Sequence, residues 1–173
     1  GILADDVVVT TVMANLGFFR KLDGEGMKYD VTQVGDKYVY ESMSKNGYDI
    51  GGEQSGHIIF RHHATTGDGL LTALKILEVM VKTGKSINEL TDDLFIYPQL
   101  LVNVKVKDKE AMMNDPDVLA ACQRVKDELG NEGRVLVRPS GTEPLVRVMV
   151  EAKSDELCKH YVDMVCEVIQ SKC

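Results

Sequence analysis

The chain has 173 residues, 44% hydrophobic and 27% charged, which fits one large or two small globular domains with a real core. Its net charge of −7 excludes bulk nucleic-acid binding, which needs a basic face, and no apolar stretch reaches the length that crosses a membrane. Four cysteines without C-x-x-C spacing, and no stretch with a secretory-signal pattern, read as reduced thiols of a cytoplasmic protein, neither a disulfide framework nor a zinc site.

Val7 to Thr11 is a continuous β-branched run, the pattern of a strand buried on both faces. Such a strand, so soon after Gly1-Ile2-Leu3-Ala4, reads as a boundary inside a longer protein, because a central strand has partners on both sides. A short helix is expected over 12–20, where Met13, Leu16 and Phe19 recur, although Gly17 weakens it. A strand over 27–34 places Tyr29 and Val31 on one face. Gly35-Asp36 opens a helix through Lys45 that carries Tyr38, Val39 and Met43, and Asn46-Gly47 stops it. A strand at 48–51 feeds a glycine-bounded loop, and His57 to Phe60 forms another. Strand, helix, strand, helix, strand is the rhythm of an α/β layer with a parallel sheet. The strongest helix of this half follows: Leu70, Leu74, Leu77 and Val81 recur at helical spacing, and Leu71, Ala73, Ile76 and Met80 widen the face. Asp68 is its expected N-cap and Gly84 its end. Ser86 to Leu90 reads as a brief helical turn.

Thr91 to Pro98 shifts composition and holds Asp92, Asp93 and a proline, so it marks a domain boundary. Two domains are expected, 1–94 and 95–173. Leu101 to Val106 alternates like a half-exposed antiparallel strand. Asp115-Pro116 opens a helix with Val118, Cys122, Val125 and Leu129 on one face. The runs Val135-Leu136-Val137 and Leu145 to Val150 are strands around a tight turn, and a last helix from Asp155 buries Leu157, Tyr161, Met164, Val165 and Val168. The expected fold is an α/β domain, part of a three-layer one, followed by a small α+β domain with an antiparallel sheet and helices on one face.

The turn between the last two strands is Arg138-Pro139-Ser140-Gly141-Thr142-Glu143-Pro144. It holds a planar guanidinium fork, two hydroxyls and a glycine whose N–H no side chain shields, the parts that hold a phosphate dianion. An ordinary polar hairpin turn is the alternative. The loop Gly52-Glu53-Gln54-Ser55-Gly56-His57 follows a strand directly, and ligands of open α/β sheets gather beyond the carboxyl ends of strands. Glu53 can accept hydrogen bonds from neighbouring sugar hydroxyls and Ser55 can donate or accept; a carboxylate that merely caps a turn is the alternative. His57 suits either substrate contact or a packed strand start. Asp36 and Lys37 open a helix, where an anion or simply a cap fits. Adjacent His62 and His63 point to opposite sides of an extended chain and do not make a metal site. Arg147 alternates with apolar neighbours and faces either the turn or solvent.

The two stretches RPSGTEP and GEQSGH, in this order, resemble the phosphate-binding and sugar-binding loops of the α-D-phosphohexomutases, and Gln54 is similar to the phosphoglucosamine mutase branch. The resemblance covers the second part of such an enzyme: domain three, truncated, at 1–94 and domain four at 95–173. It implies that Glu53, Ser55 and His57 grip the sugar and that Arg138, Ser140, Gly141 and Thr142 hold the phosphate that is not reacting. It implies further a hexosamine phosphate substrate, glucosamine 6-phosphate going to glucosamine 1-phosphate through a phosphoserine and a bisphosphate, with the amino-terminal domains of the parent as partners. The resemblance places the phosphoserine and Mg²⁺ on segments of the T-A-S-H-N-P and D-G-D-x-D-R kind, which this sequence does not contain. No metal, no nucleic acid and no membrane are therefore expected as partners of these residues, and no catalytic residue beyond His57. The rival readings are a phosphomannomutase or phosphoglucomutase fragment, a stand-alone non-catalytic binder of sugar phosphates, and an interaction module with structural loops.

Overall fold

A computed structural model describes residues 3–173. The chain divides into two compact units, Gly1–Ile96 and Tyr97–Cys173.

The first unit is built on a sheet of strands β1 (Val7–Thr11), β2 (Lys28–Thr32), β3 (Ile50–Gly52) and β4 (Ile58–Phe60), in the order β2-β1-β3-β4. β1 pairs in parallel with β2 and β3, as the alternating rhythm predicts. β4 pairs antiparallel with β3, so the sheet is mixed rather than parallel. The reason is local: only the Glu53–His57 turn separates these strands, and a parallel partner needs a crossover of a dozen residues or more. Gly51 admits the close packing of this layer, since a Cβ there would sit 2.6 Å from the Val39 side chain and 2.7 Å from Met43 Sδ.

Helix α1 (Leu16–Gly24) begins four residues later than 12–20 suggests, because Asn15 caps it by accepting from the Gly17 N–H. Helix α2 (Asp36–Asn46) ends at left-handed Gly47 and buries Val39 and Met43 against Val9 and Ile59. β2 is an edge strand, and Tyr29 and Val31 stay exposed. Helix α3 (Gly69–Thr83) starts at Asp68, whose carboxylate accepts from the Leu71 N–H, and stops at left-handed Gly84. Its caps are as expected but its packing is not: it buries no residue, and Leu70 and Val81 are 81% and 83% exposed. Helix α4 (Ile87–Thr91) carries a reciprocal Ser86–Glu89 capping box. The sheet face beside β1 and β3 opens into a groove of about 400 Å³ lined by Val8, Thr10, Phe18, Ile50 and Ile58, with Glu53 and Gln54 also on its wall.

The second unit holds an antiparallel sheet of β5 (Gln99–Lys105), β6 (Arg134–Pro139) and β7 (Leu145–Glu151), with β7 in the middle. Helices α5 (Lys109–Met113), α6 (Pro116–Leu129) and α7 (Asp155–Gln170) supply the other half of its core. Alternation puts Val146, Val148 and Val150 of β7 on the helix side, where they meet Val118, Val125, Val162 and Val165. α7 is rolled by about one position from the expected face. Cys158, Val162, Val165, Cys166 and Ile169 are buried, Tyr161, Met164 and Val168 only partly, and Leu157 is exposed. The small cysteines fit closer to the sheet than the larger side chains beside them. On the other face Glu151, fully buried, accepts from Arg134 Nε at 2.6 Å and from Gln99 Nε2 at 2.9 Å, so one carboxylate ties together neighbours on all three strands.

Candidate functional site

Two clusters carry the sequence-predicted residues, one in each unit. In the first unit the loop after β3 and the loop after β2 both leave the carboxyl ends of parallel strands. They meet at Glu53. Its Oε2 accepts from the Gly35 N–H at 3.2 Å and its Oε1 lies 3.3 Å from His57 Nδ1. Ser55 Oγ is 2.8 Å from the same nitrogen. The hairpin is closed by Glu53 N–H to the His57 carbonyl and by Gly56 N–H to the Glu53 carbonyl, and Gly56 has φ +95°, a value that favours glycine. The result is a carboxylate whose side chain is only 10% exposed beneath a histidine that is 54% exposed. Glu53, Ser55 and His57 are thus brought together, with His57 outermost. Gly67 lies against His57 so closely that a Cβ would come within 2.9 Å of its Cβ.

The neighbouring candidates sort differently. Asp36 Oδ2 accepts from Thr66 Oγ1, and Lys37 is exposed with Glu41 3.7 Å away. His62 Nε2 sits 2.8 Å from Asp49 Oδ1, while His63 lies edge-on to Phe60, so the pair diverges as expected. The Ala4 N–H, then His62 and Arg61, hold the Asp49 carboxyl below its ordinary pKa.

In the second unit the β6–β7 hairpin holds the other cluster. Ser140 N–H donates to the Leu145 carbonyl, and Ser140 Oγ accepts from the Glu143 N–H at 3.3 Å. Ser140 is 2% exposed, so it braces the turn from below. Gly141 and Thr142 are exposed, and their N–H groups have no acceptor among the described residues. Arg138 is half-buried, and its guanidinium has neither a hydrogen bond nor an ion pair with any described residue. Directly across the ladder from it stands Arg147. Arg147 Nε is the one buried side-chain polar atom, among the described residues, without a partner. The one carboxylate within ion-pair distance of it among the described residues is exposed Glu143, at 3.8 Å. Burial first, and then the charge of Arg147, lower the pKa of Arg138. Like charges directly opposite on adjacent strands repel. Two such guanidiniums, beside two N–H groups and a threonine hydroxyl, are the kinds of group that suit an anion with several oxygens.

Lys109 joins this cluster from the first turn of α5, donating from Nζ to the Ser140 carbonyl at 2.8 Å. No sequence signal pointed to it. A contact 31 residues away depends on a short helix that the apolar periodicity does not reveal.

Comparison with known proteins decides the family. Residues 1–97 match the model for phosphoglucomutase/phosphomannomutase alpha/beta/alpha domain III, and residues 101–168 match that for the phosphoglucomutase/phosphomannomutase C-terminal domain. The chain belongs to the phosphoglucomutase/phosphomannomutase family. Proteins named phosphoglucosamine mutase from Lachnospira eligens and Bacillus subtilis are 58% and 53% identical to it over 98% and 99% of the chain. The chain spans 38% of the length of each. The fold is shared with the solved N-acetylphosphoglucosamine mutase of Aspergillus fumigatus, at a TM-score of 0.82 and 20% identity over 95% of this chain and 38% of that one. A structure of that enzyme in complex with GlcNAc-6P and magnesium matches at a TM-score of 0.74, 21% identity and 93% of this chain.

Among the described residues no group of three or more His, Cys, Asp or Glu could hold a metal ion. Glu53, on the loop after β3, directs one oxygen to the Gly35 N–H and the other to His57. These residues do not fit a magnesium ion. No helix among them is long and apolar enough to cross a membrane.

Proposed function

We propose that the chain is the ligand-gripping part of a cytoplasmic phosphoglucosamine mutase, corresponding to its third domain, truncated, at 1–94 and its fourth at 95–173. The whole protein then interconverts glucosamine 6-phosphate and glucosamine 1-phosphate through a phosphoserine and a bisphosphate, with phosphoserine and magnesium on other domains. The observation that carries this reading is the pair Arg138 and Arg147, held opposite each other across the ladder, with Arg147 Nε buried without an acceptor and the Arg138 guanidinium in no ion pair among the described residues. Relatives at 51–58% identity that bear the phosphoglucosamine mutase name favour a hexosamine over mannose or glucose.

The division of labour follows from the chemistry. A sugar bisphosphate that turns round between two transfers presents each phosphate in turn to the reaction, and the other must be held meanwhile. The Arg138 fork, with the N–H groups of Gly141 and Thr142, suits that holding role, because it binds a dianion without touching its ester bond. Glu53 is fixed by the Gly35 N–H, so its lone pairs face sugar hydroxyls without rearrangement. His57 shares its Nδ1 between Ser55 and Glu53, which leaves Nε2 for a hydroxyl or a water.

Two measurements test this. Calorimetric titration of the chain with glucosamine 6-phosphate is expected to give saturable binding, weakened at least about tenfold by Arg138→Ala, the loss of a bidentate charged contact. Unchanged affinity in that variant makes the turn structural and removes the reading. A coupled assay for glucosamine 1-phosphate is expected to show turnover with the full-length protein and none with the 173-residue chain, since an in-line phosphoryl donor is required.

A further inference from the structure

The Ser140 carbonyl, at the base of the hairpin turn, accepts from the Lys109 ammonium at 2.8 Å. The described chain has no cis peptide bond. In a trans peptide the carbonyl of one residue and the N–H of the next point in opposite directions. A cation that fixes the Ser140 carbonyl therefore fixes the Gly141 N–H as well, on the far side of the same plane. Gly141 is exposed, its N–H has no acceptor among the described residues, and a Cβ placed on it would meet nothing within 4 Å. Without the tether a glycine on an exposed turn can flip its peptide at little cost. Lys109 is half-buried and has no carboxylate within ion-pair distance among the described residues, so its charge stays with the turn.

We propose that Lys109 is a positioning residue of the anion site: by holding the Ser140 carbonyl it sets the Ser140–Gly141 peptide plane and offers the Gly141 N–H to a phosphate oxygen. The inference rests on the reading of the Arg138 turn as a phosphate site. It assigns a function to α5, which otherwise buries only Met112. It also makes the ammonium a third cation at this turn, in a chain whose net charge is −7.

The test is amide NMR of the ¹⁵N-labelled chain titrated with glucosamine 6-phosphate. In the unsubstituted chain the Gly141 amide proton is expected to move downfield saturably, together with Arg138 Nε–H. In Lys109→Met the affinity is expected to fall about tenfold, the size of one charge-assisted hydrogen bond, and the Gly141 shift at saturation to drop below about half, while Arg138 Nε–H still responds. Lys109→Arg keeps a cationic donor and is expected to restore both. Asp108→Ala removes the cap of α5, whose carboxylate accepts from the Ala111 N–H, and leaves the ammonium in place. It is expected to lower stability and to leave the Gly141 response intact. Equal loss in Asp108→Ala and Lys109→Met, or a full Gly141 response in Lys109→Met, overturns the role of Lys109 alone. If Arg138 Nε–H responds in the unsubstituted chain and Gly141 does not, the positioning role again falls and the phosphate site stands. If neither responds, both fall.

Discussion

Arg147 gives the sharpest test at the scale of single residues, because stability and binding should move in opposite directions. With no anion present, its guanidinium faces that of Arg138 across the ladder, and its Nε is buried without an acceptor. Arg147→Met keeps the length of the stem and removes the charge. The empty chain is expected to hold its stability or gain about 0.2–1 kcal/mol, the range for relieving an opposed like-charge pair. Affinity for glucosamine 6-phosphate is expected to fall about tenfold. Urea melts and calorimetry read the two quantities, and a joint loss of stability and affinity would make Arg147 structural. The ligand also sets a pH dependence. A phosphate ester loses its second proton near about pH 6, and the dianion is the better partner for two guanidiniums. Affinity should therefore rise from pH 5 to about 7 and then level off. Arg138 was legible in the sequence because a guanidinium, hydroxyls and a glycine crowd into one turn. Arg147 was not, because which side of β7 it takes depends on the register Arg138↔Arg147, a property of two strands together.

The secondary-structure elements divide by whether their cause is local. Asp68, Ser86, Asp115 and Ser154 each accept a main-chain N–H at a helix start, and the chemistry of these caps is written within four residues. Packing faces are less legible, since they depend on the partner surface. α7 is apolar over a broad arc, and periodicity alone points to the face of Leu157, whereas the sheet takes that of Cys158. α3 has a wide apolar face at helical spacing and yet buries nothing. That contrast gives a paired prediction. Ile169→Ala, at a fully buried site in α7, is expected to cost about 2–5 kcal/mol. Leu74→Ala, 65% exposed in α3, is expected to stay within about 0.5 kcal/mol in this chain. Urea denaturation of the two variants measures both. A Leu74→Ala cost near that of Ile169→Ala would mean that α3 is packed in solution on a surface that these contacts omit.

At the scale of the molecule the two units have unequal cores. The largest buried cluster of the second joins sixteen residues from strands and helices on one sheet face, whereas that of the first joins Val9, Val39, Met43 and Ile59. Stabilisation follows buried apolar area, so the first unit should unfold at the lower denaturant concentration. The sequence supplies independent reporters. All four cysteines lie in the second unit, and four of the six tyrosines, Tyr29, Tyr38, Tyr40 and Tyr48, lie in the first, with no tryptophan to mask them. Cys158 and Cys166 are buried, and burial pushes the Cys166 thiol up to about 11 and raises that of Cys158. The thiolate is the reactive form, so neither should react with a disulfide reagent until the second unit opens. Cys173 is exposed and should label at once, with half-buried Cys122 slower. In a urea series the tyrosine emission is expected to change first, with Cys158 and Cys166 still silent, and their labelling to begin only at a higher concentration. Glucosamine 6-phosphate held by the Arg138 turn should shift the thiol transition upward, because a ligand that binds only the folded form stabilises it. A single coincident transition for tyrosines and thiols would show that the two units unfold as one cooperative body despite the disparity of their cores.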